Sequence, residues 1–216
     1  MQFFTRRSFL SLFGAVFSAG LFVSPGAAQE LEKKVAGTVA KLQGSAIAIQ
    51  DATPRALKVG AEILIGDVVS TGADSRLELR MIDDGLFTLG ERTNFVVMEY
   101  RFDDNSGNAA TRLLDGTVRA ITGKIAQLTG QPFRMDTEFA SIGVRGTEFW
   151  GGPLDGVMQF ALLGGGGIIV SNGAGSVEIT EEGHGTWLAT PLDAPAAPDT
   201  WGDDKIKRAL ETVTFQ

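Results

Sequence analysis

Residues Ser141 to Gly152 read Ser-Ile-Gly-Val-Arg-Gly-Thr-Glu-Phe-Trp-Gly-Gly and combine strand-forming residues with two charged ones. Gly143 and Gly146 permit close backbone approach or a positive φ. Arg145 lies inside an apolar run, where a guanidinium is costly to bury unless carboxylates or carbonyls accept its hydrogen bonds. We therefore expect a structural strand in which a paired Arg145 locks two β layers together. The alternative is that Arg145 and Glu148 face a ligand.

Composition narrows the classes of protein and of site. The chain has 216 residues, enough for one large domain or two small ones. Its 28 glycines are about twice the average share of roughly 7%, which favours a turn-rich β protein. Cysteine is absent, which excludes disulfides and thiolate chemistry. The single histidine, His184, lies between two glycines, so we expect no catalytic triad, no metal centre and no cofactor.

The charge balance argues against two classes of partner. The formal net charge is −7 at pH 7, and removal of residues 1–28 would take away Arg6 and Arg7 but no carboxylate, leaving −9. Nucleic acids and anionic lipids bind mainly through basic groups that neutralise their charge. We therefore expect no nucleic-acid partner.

Residues 1–28 have the pattern of an export signal. Arg6 and Arg7 precede an apolar run, and small residues lead to Ala28, where we expect cleavage. Paired arginines before Ser-Phe-Leu resemble the twin-arginine signal of proteins exported in the folded state. An uncleaved N-terminal anchor is the alternative. Because no later segment is apolar enough to cross a bilayer, we expect a periplasmic mature chain without an integral membrane segment.

The body of the chain alternates short apolar runs with glycine-containing turns. Arg76 to Met81 has the period of two typical of a half-buried strand. We predict hairpins at Gln43-Gly44-Ser45 and at Gly164–Gly167, and Asp-Gly pairs recur as in the successive coils of a roll. The predicted fold is all-β: a glycine-rich β-roll or solenoid-like sandwich of short strands, followed by a short C-terminal helix.

Two segments follow the β domain, which we place at residues 35–189. Residues 190–202 contain Pro191, Pro195 and Pro198 and are predicted to form a linker. Residues 203–216 carry apolar side chains at helical spacing and predict an amphipathic helix. This helix either docks on its own domain or binds a partner.

An ordered set of residues resembles the FecR-type periplasmic domain. The set is Gly37-x-Val39, Gly44, Leu57-x-x-Gly60, Leu64-x-Gly66-Asp67-x-Val69-x-Thr71-Gly72, Ser75, Leu79, Asp84-Gly85 and Leu89-Gly90. The family's core signature is matched by Gly143, Arg145, Gly146, Thr147, Glu148 and Phe149, which we interpret as structural. The resemblance covers Val35 to Gly151, with weaker features to Trp187.

This resemblance implies an extracytoplasmic, β-rich, solenoid-like fold that works by binding and signal relay. The regulators that name the family also carry a cytoplasmic anti-sigma segment, a membrane helix and a C-terminal module. An export signal replaces the first two here and the third is not recognisable, so we expect a stand-alone secreted member without a direct anti-sigma role.

Two polar clusters are further candidates for binding. Asp103 to Asn108 is oxygen-rich, which is compatible with calcium, but it lacks the glutamate and flanking helices of an EF-hand and also fits an exposed hairpin loop. The basic residues Arg112, Arg119, Lys124 and Arg134 form either a solvated face or a patch for an anionic ligand.

Three functions follow from these observations. The first is a non-catalytic binding and signal-relay module that contacts another envelope protein, through a sheet edge or face. The second is a structural or carbohydrate- and peptidoglycan-binding envelope module, with Tyr100, Trp150, Trp187 and Trp201 as stacking surfaces. The third is an enzyme with Glu148 and Asp155 as paired carboxylates, which we do not expect.

Overall fold

The computed structural model describes residues 34–103, 105–130 and 133–216. The predicted export signal with Arg6, Arg7 and Ala28 lies outside the described residues, as does Asp104 of the oxygen-rich loop. In the part that is described, no helix is long and apolar enough to span a membrane.

Two nine-stranded sheets make up most of the described chain. In spatial order, sheet I consists of β18 (Asp199–Thr200), β17 (His184–Leu188), β14 (Val157–Gly165), β13 (Thr147–Leu154), β10 (Val118–Ile121), β7 (Leu86–Leu89), β6 (Arg76–Met81), β1 (Val35–Gln43) and β4 (Glu62–Leu64). Sheet II consists of β16 (Gly175–Ile179), β15 (Ile168–Asn172), β12 (Ser141–Val144), β11 (Phe133–Asp136), β9 (Ser106–Asp115), β8 (Asn94–Asp103), β5 (Val68–Thr71), β2 (Ala46–Gln50) and β3 (Thr53–Ala56).

The chain passes back and forth between the two sheets. The hairpin β6–β7 lies in sheet I, β8–β9 in sheet II, β13–β14 in sheet I and β15–β16 in sheet II. After β9 the chain crosses to sheet I, forms β10 there and returns to sheet II as β11. Strands β9 and β11 are parallel neighbours in sheet II. Successive segments of the chain add strands to the two sheets in turn, so the predicted all-β roll with a sandwich cross-section is confirmed.

The main core lies between the sheets, because alternate side chains of each strand point inward. Phe87 of β7 packs against Phe95 of β8 and Phe133 of β11, with ring centroids 5.5 and 6.0 Å apart. All three rings are fully or almost fully buried. Aromatic side chains from both sheets therefore hold the two layers together.

Two predicted hairpins are instead crossings between sheets. Gln43-Gly44-Ser45 joins β1 of sheet I to β2 of sheet II, and Gly164–Gly167 lies where β14 of sheet I leads to β15 of sheet II. Gly44, Gly165 and Gly167 have φ values of 73°, 97° and 119°. Such glycines suit a corner as well as a hairpin turn, so the local sequence does not distinguish the two.

A buried carboxylate fixes one corner of the sandwich. Asp83 is fully buried and accepts hydrogen bonds from the Tyr100 hydroxyl (2.8 Å), the Gly85 amide (3.1 Å) and the Ile125 amide (3.1 Å). Ile125 belongs to a short 3₁₀ helix, Lys124–Gln127. Burial of Tyr100, the nearby charge of Asp83 and their hydrogen bond raise the pKa of this phenol well above its usual value near 10.

The C-terminal part returns to sheet I. Strand β18 lies within the segment expected to be a linker and pairs with β17, and the helix α1 (Asp203–Glu211) follows it. Asp203 and Asp204 lie in the first turn of α1, where acidic side chains favour the positive end of the helix dipole. The predicted C-terminal helix is thus present, and it packs on the β domain.

Candidate functional site

The signature segment forms β12, the crossing and the start of β13. Phe149 is fully buried in the main core, and Thr147 is buried beside it. Gly146 has a φ of 58°, which an L side chain rarely adopts. The expectation of a buried Arg145 is wrong, because this side chain lies exposed at the crossing between the sheets. The residues that lock the layers are Thr147 and Phe149.

Thr147 joins the beginnings of β13 and β15. Its Oγ1 donates to a backbone carbonyl, that of Gly167 at 2.8 Å or of Arg145 at 3.1 Å, and accepts from the Gly167 amide at 3.2 Å. The Thr147 amide in turn donates to Thr122 Oγ1 at 2.8 Å. The hydroxyl therefore gives the Gly167 amide an acceptor at the crossing, where the Gly167 carbonyl also accepts from the Arg145 amide at 3.2 Å.

Glu148 faces away from the core and pairs with a residue of the neighbouring strand β10. Arg119 Nη2 and Nε lie 2.7 and 2.8 Å from Glu148 Oε1. Arg119 continues a row of paired residues that crosses the outer face of sheet I: Lys41, Glu78, Thr88, Arg119, Trp150, Ala161 and Gly185. The row is charged at the β1 end and apolar or small at the β17 end.

The small residues of this row receive the C-terminal segment. Trp201 packs on Gly185, where a Cβ would lie 2.4 Å from the indole Nε1. Trp150 contacts Trp201 edge to face, with ring centroids 6.0 Å apart, and its Nε1 donates to Thr212 Oγ1 at 3.1 Å. With Ala161, Ala209 and Val213 these residues form a second core outside the sandwich.

Two contacts made by arginine side chains attach α1 to sheet I. Arg208 donates two hydrogen bonds to Asp155 in the β13–β14 turn, at 2.5 and 3.1 Å. Arg76, which is 8% exposed, donates to the Glu211 carbonyl at 3.5 Å and so places a cation at the negative end of the helix dipole. The tail then reaches β1, where the Gln216 amide donates to Gln43 Oε1 at 2.8 Å.

A groove of about 920 Å³ runs beside α1 on the outer face of sheet I. The helix and tail provide its apolar wall, with Ile206, Leu210, Val213 and Phe215. The floor is polar, with Lys41, Glu78, Thr88, Arg119 and Glu148. Its volume and mixed lining are in the range of sites that bind ligands or peptides. We call this feature the α1 groove.

The sheet edges differ in how well another strand could add to them. At the ends of sheet I, β18 has two residues and β4 three, and β3 of sheet II contains Pro54. Strand β16 has five residues and no proline. Asn172 and Gly175 flank a two-residue turn and form a hydrogen-bonded pair, so the backbone groups of Ser176 and Glu178 point away from β15.

The four basic residues considered as an anion patch do not form a single group. Arg112 and Arg134 lie on sheet II, with Nη2 atoms 4.0 and 3.2 Å from Asp136 Oδ2. Arg119 lies on sheet I, and Lys124 pairs with Asp84 at 2.6 Å.

The structure also shows the surroundings of the oxygen-rich loop and of the aromatic residues considered for stacking. The Asp103 carboxylate accepts hydrogen bonds from the Ser106 hydroxyl and from the Asn105 and Ser106 amides, which lower its pKa and close a hairpin turn. Among the described residues no group of three or more His, Cys, Asp or Glu could hold a metal. Of the proposed stacking aromatics, Trp150, Trp201 and Tyr100 are buried, whereas Trp187 is 44% exposed.

The carboxylates considered for catalysis are engaged in ion pairs. Glu148 pairs with Arg119, and hydrogen bonds from Arg208 lower the pKa of Asp155. The catalytic acid of a glycosidase needs a raised pKa, whereas the pKa of Asp155 is lowered, which is opposite to that role.

The family comparison covers the central strands of this sandwich. Residues 67–166 match the family model described as FecR protein, which spans β5 to β14 and includes the signature. The chain carries a FecR domain. The match overlaps the sequence resemblance from Asp67 to Gly151 and extends beyond it to Gly166. This match, which covers 100 of the 216 residues, indicates a signalling or regulatory role.

Solved structures resemble the FecR domain in fold. Two crystal structures of a candidate anti-sigma factor from Parabacteroides distasonis ATCC 8503 superpose with TM-scores of 0.53 and 0.52 at 14% identity. The superpositions cover 66% of this chain but only 63 and 64% of the solved chains. At this identity the likeness concerns the fold alone. No curated protein sequence matches the chain significantly.

Sequence reasoning missed the α1 groove and the second core. Trp150 and Trp201 were noted as aromatics, but their contact depends on Gly185 and Ala161 being small on neighbouring strands. These residues are far apart in sequence, so a periodic pattern does not reveal them. The alternation in β13, where Phe149 and Trp150 point to opposite faces, was the available signal.

Proposed function

We propose that this chain is a non-catalytic binding and signal-relay module that acts in the periplasm through contacts with another envelope protein. The observation that carries the proposal is the FecR family match over residues 67–166. The roll supports it, because a stack of short strands offers a free edge and outer faces on a rigid frame.

The edge of β16 is the contact surface that we propose for strand addition. Its outward backbone groups, at Ser176 and Glu178, could pair with an extended segment of the partner. Both side chains are exposed, and Val177 and Ile179 point toward the core. An added strand would therefore gain main-chain hydrogen bonds without disturbing the sandwich.

Export is a further part of the proposal. Residues 1–28 would act as a twin-arginine signal through Arg6 and Arg7, with cleavage after Ala28. N-terminal sequencing of the protein recovered from the periplasm should then begin at Gln29. Replacing both arginines with lysine should retain the protein in the cytoplasm.

Partner capture from the periplasm tests the binding role. The full chain should recover a specific protein, and Glu178→Pro should abolish the capture because proline removes an outward amide. Glu178→Ala is the matched control, since it keeps the amide and should still capture the partner. If the folded chain recovers no specific protein, the proposal is wrong; equal capture by both variants would exclude the β16 edge.

A further inference from the structure

The position of α1 leaves room for a second helix on the outer face of sheet I. Contacts place the C-terminal segment across sheet I: Trp201 lies at β17, Glu211 and Thr212 are contacted by side chains from β6 and β13, and Gln216 lies at β1. The segment therefore runs across the strands and covers one band of the face. The α1 groove is the parallel band beside it.

The length of this band suits a short helix. Its floor extends from β1 to β14, which is five strand spacings and thus about 24 Å. A helix of about 16 residues has this length. Helices pack side by side when apolar residues at helical spacing meet, and α1 offers such a pair in Ile206 and Leu210, which are partly exposed along the groove.

The charges that line the groove favour a basic occupant. Lys41 pairs with Glu78 at 3.2 Å and Arg119 with Glu148 at 2.7 Å, so both cations of the floor are neutralised. Glu182 and Asp203 line the end near Trp201 and form no ion pair within residues 34–103, 105–130 and 133–216. At the same end the Lys205 ammonium lies 4.1 Å from the centroid of the Trp201 ring, so two carboxylates and one cation share this end of the apolar wall and leave a net negative charge there.

We propose that the α1 groove binds an amphipathic helix of a protein partner, packed alongside α1. Its apolar side would contact Ile206 and Leu210, and lysine or arginine at one end would meet Glu182 and Asp203. This inference rests on the proposed protein-binding function and supplies a second contact surface, on the sheet opposite to that of the β16 edge.

A designed peptide tests the groove directly with the full chain. The probe is a synthetic helix of about 16 residues with leucines along one face and lysines at one end. We expect it to shift the methyl NMR signals of Ile206, Leu210 and Leu163. The control peptide has the same leucines with glutamates in place of lysines, and it should bind about tenfold more weakly or not at all.

Charge reversal in the groove distinguishes binding of the peptide there from non-specific electrostatic attraction to the acidic protein. The double variant Glu182→Lys/Asp203→Lys should weaken binding of the basic peptide about tenfold or more, whereas Glu178→Lys on sheet II should leave it unchanged. Equal weakening by both variants, equal binding of both peptides, or an absence of shifts at these methyl groups would overturn the inference. If the groove variants also still capture the periplasmic partner, only the groove is excluded and the proposed function stands.

Discussion

Arg208 on α1 and Asp155 in the β13–β14 turn form two parallel hydrogen bonds, at 2.5 and 3.1 Å. This ion pair connects the C-terminal helix to the tip of a sheet I hairpin that lies within the FecR match. Both side chains are about half exposed. This solvent-screened ion pair, which we call the latch, therefore attaches α1 in addition to the Arg76 contact with the Glu211 carbonyl and the buried aromatic contacts.

The first prediction concerns this latch. Hydrogen bonds from Arg208 lower the pKa of Asp155 in the folded state. The stability that this ion pair contributes is therefore present above the ordinary carboxylate pKa near 3.8 and is lost as pH falls through the lowered value. Asp155→Asn should remove that dependence and reduce amide-exchange protection in Asp203–Glu211 at neutral pH. The effect should be small and weaken with salt.

Asp103→Asn is the control for the latch, because the Asp103 pKa is lowered by Ser106 and Asn105 rather than by α1. It should leave exchange in α1 unchanged. Equal protection of α1 in Asp155→Asn and the parent chain between acid and neutral pH would contradict the role of the ion pair.

The second prediction tests the packing of Trp201 on Gly185. In Gly185→Ala the new Cβ would lie 2.4 Å from the Trp201 indole nitrogen and 2.7 Å from the Phe160 carbonyl, so the indole must shift. We expect a loss of about 1–3 kcal/mol in the free energy of unfolding, typical of overpacking. Chemical denaturation and a red shift of tryptophan emission measure it. Gly164→Ala has no atom within 4 Å of the added Cβ and should change stability little.

The third prediction addresses the signature. Thr147→Val keeps the side-chain shape but removes the hydroxyl that accepts a hydrogen bond from the Gly167 amide. A buried amide left without a partner costs about 1–3 kcal/mol, and exchange at Gly167 should accelerate. Thr147→Ser retains the hydroxyl and should keep Gly167 protected. The same exchange rate in both variants would show that the hydroxyl is not the link between β13 and β15.

The fourth prediction uses the single tyrosine of the chain. Because burial and the neighbouring Asp83 raise the pKa of Tyr100, the folded protein should show no phenolate absorbance as pH rises past 10. The folded state holds this proton more tightly than the unfolded state, so the contribution of Tyr100 to stability should be constant below pH 10 and should be lost progressively above it. Titration near 10 in the native protein, as in urea, would contradict the burial of this hydroxyl.

Individual residues show how far sequence reasoning reaches. The period of two in Arg76 to Met81 predicted a half-buried strand, and Leu77, Leu79 and Met81 are indeed buried. Arg145 was wrongly predicted to be buried, because an apolar neighbourhood in sequence does not specify which residue occupies the corner between two sheets. The same limit explains the two hairpins that are crossings, since glycine permits both conformations.

By itself the sequence determined the all-β class, the glycine-punctuated short strands and the C-terminal helix, because these depend on local periodicity and composition. The FecR resemblance rests on an ordered set of residues in the sequence. Only the tertiary structure decided that Glu148 pairs with Arg119, that Trp201 packs on Gly185 and that α1 leaves a groove beside it. These contacts join residues distant in the chain, and strand order and register, which bring them together, are set by packing of the whole roll.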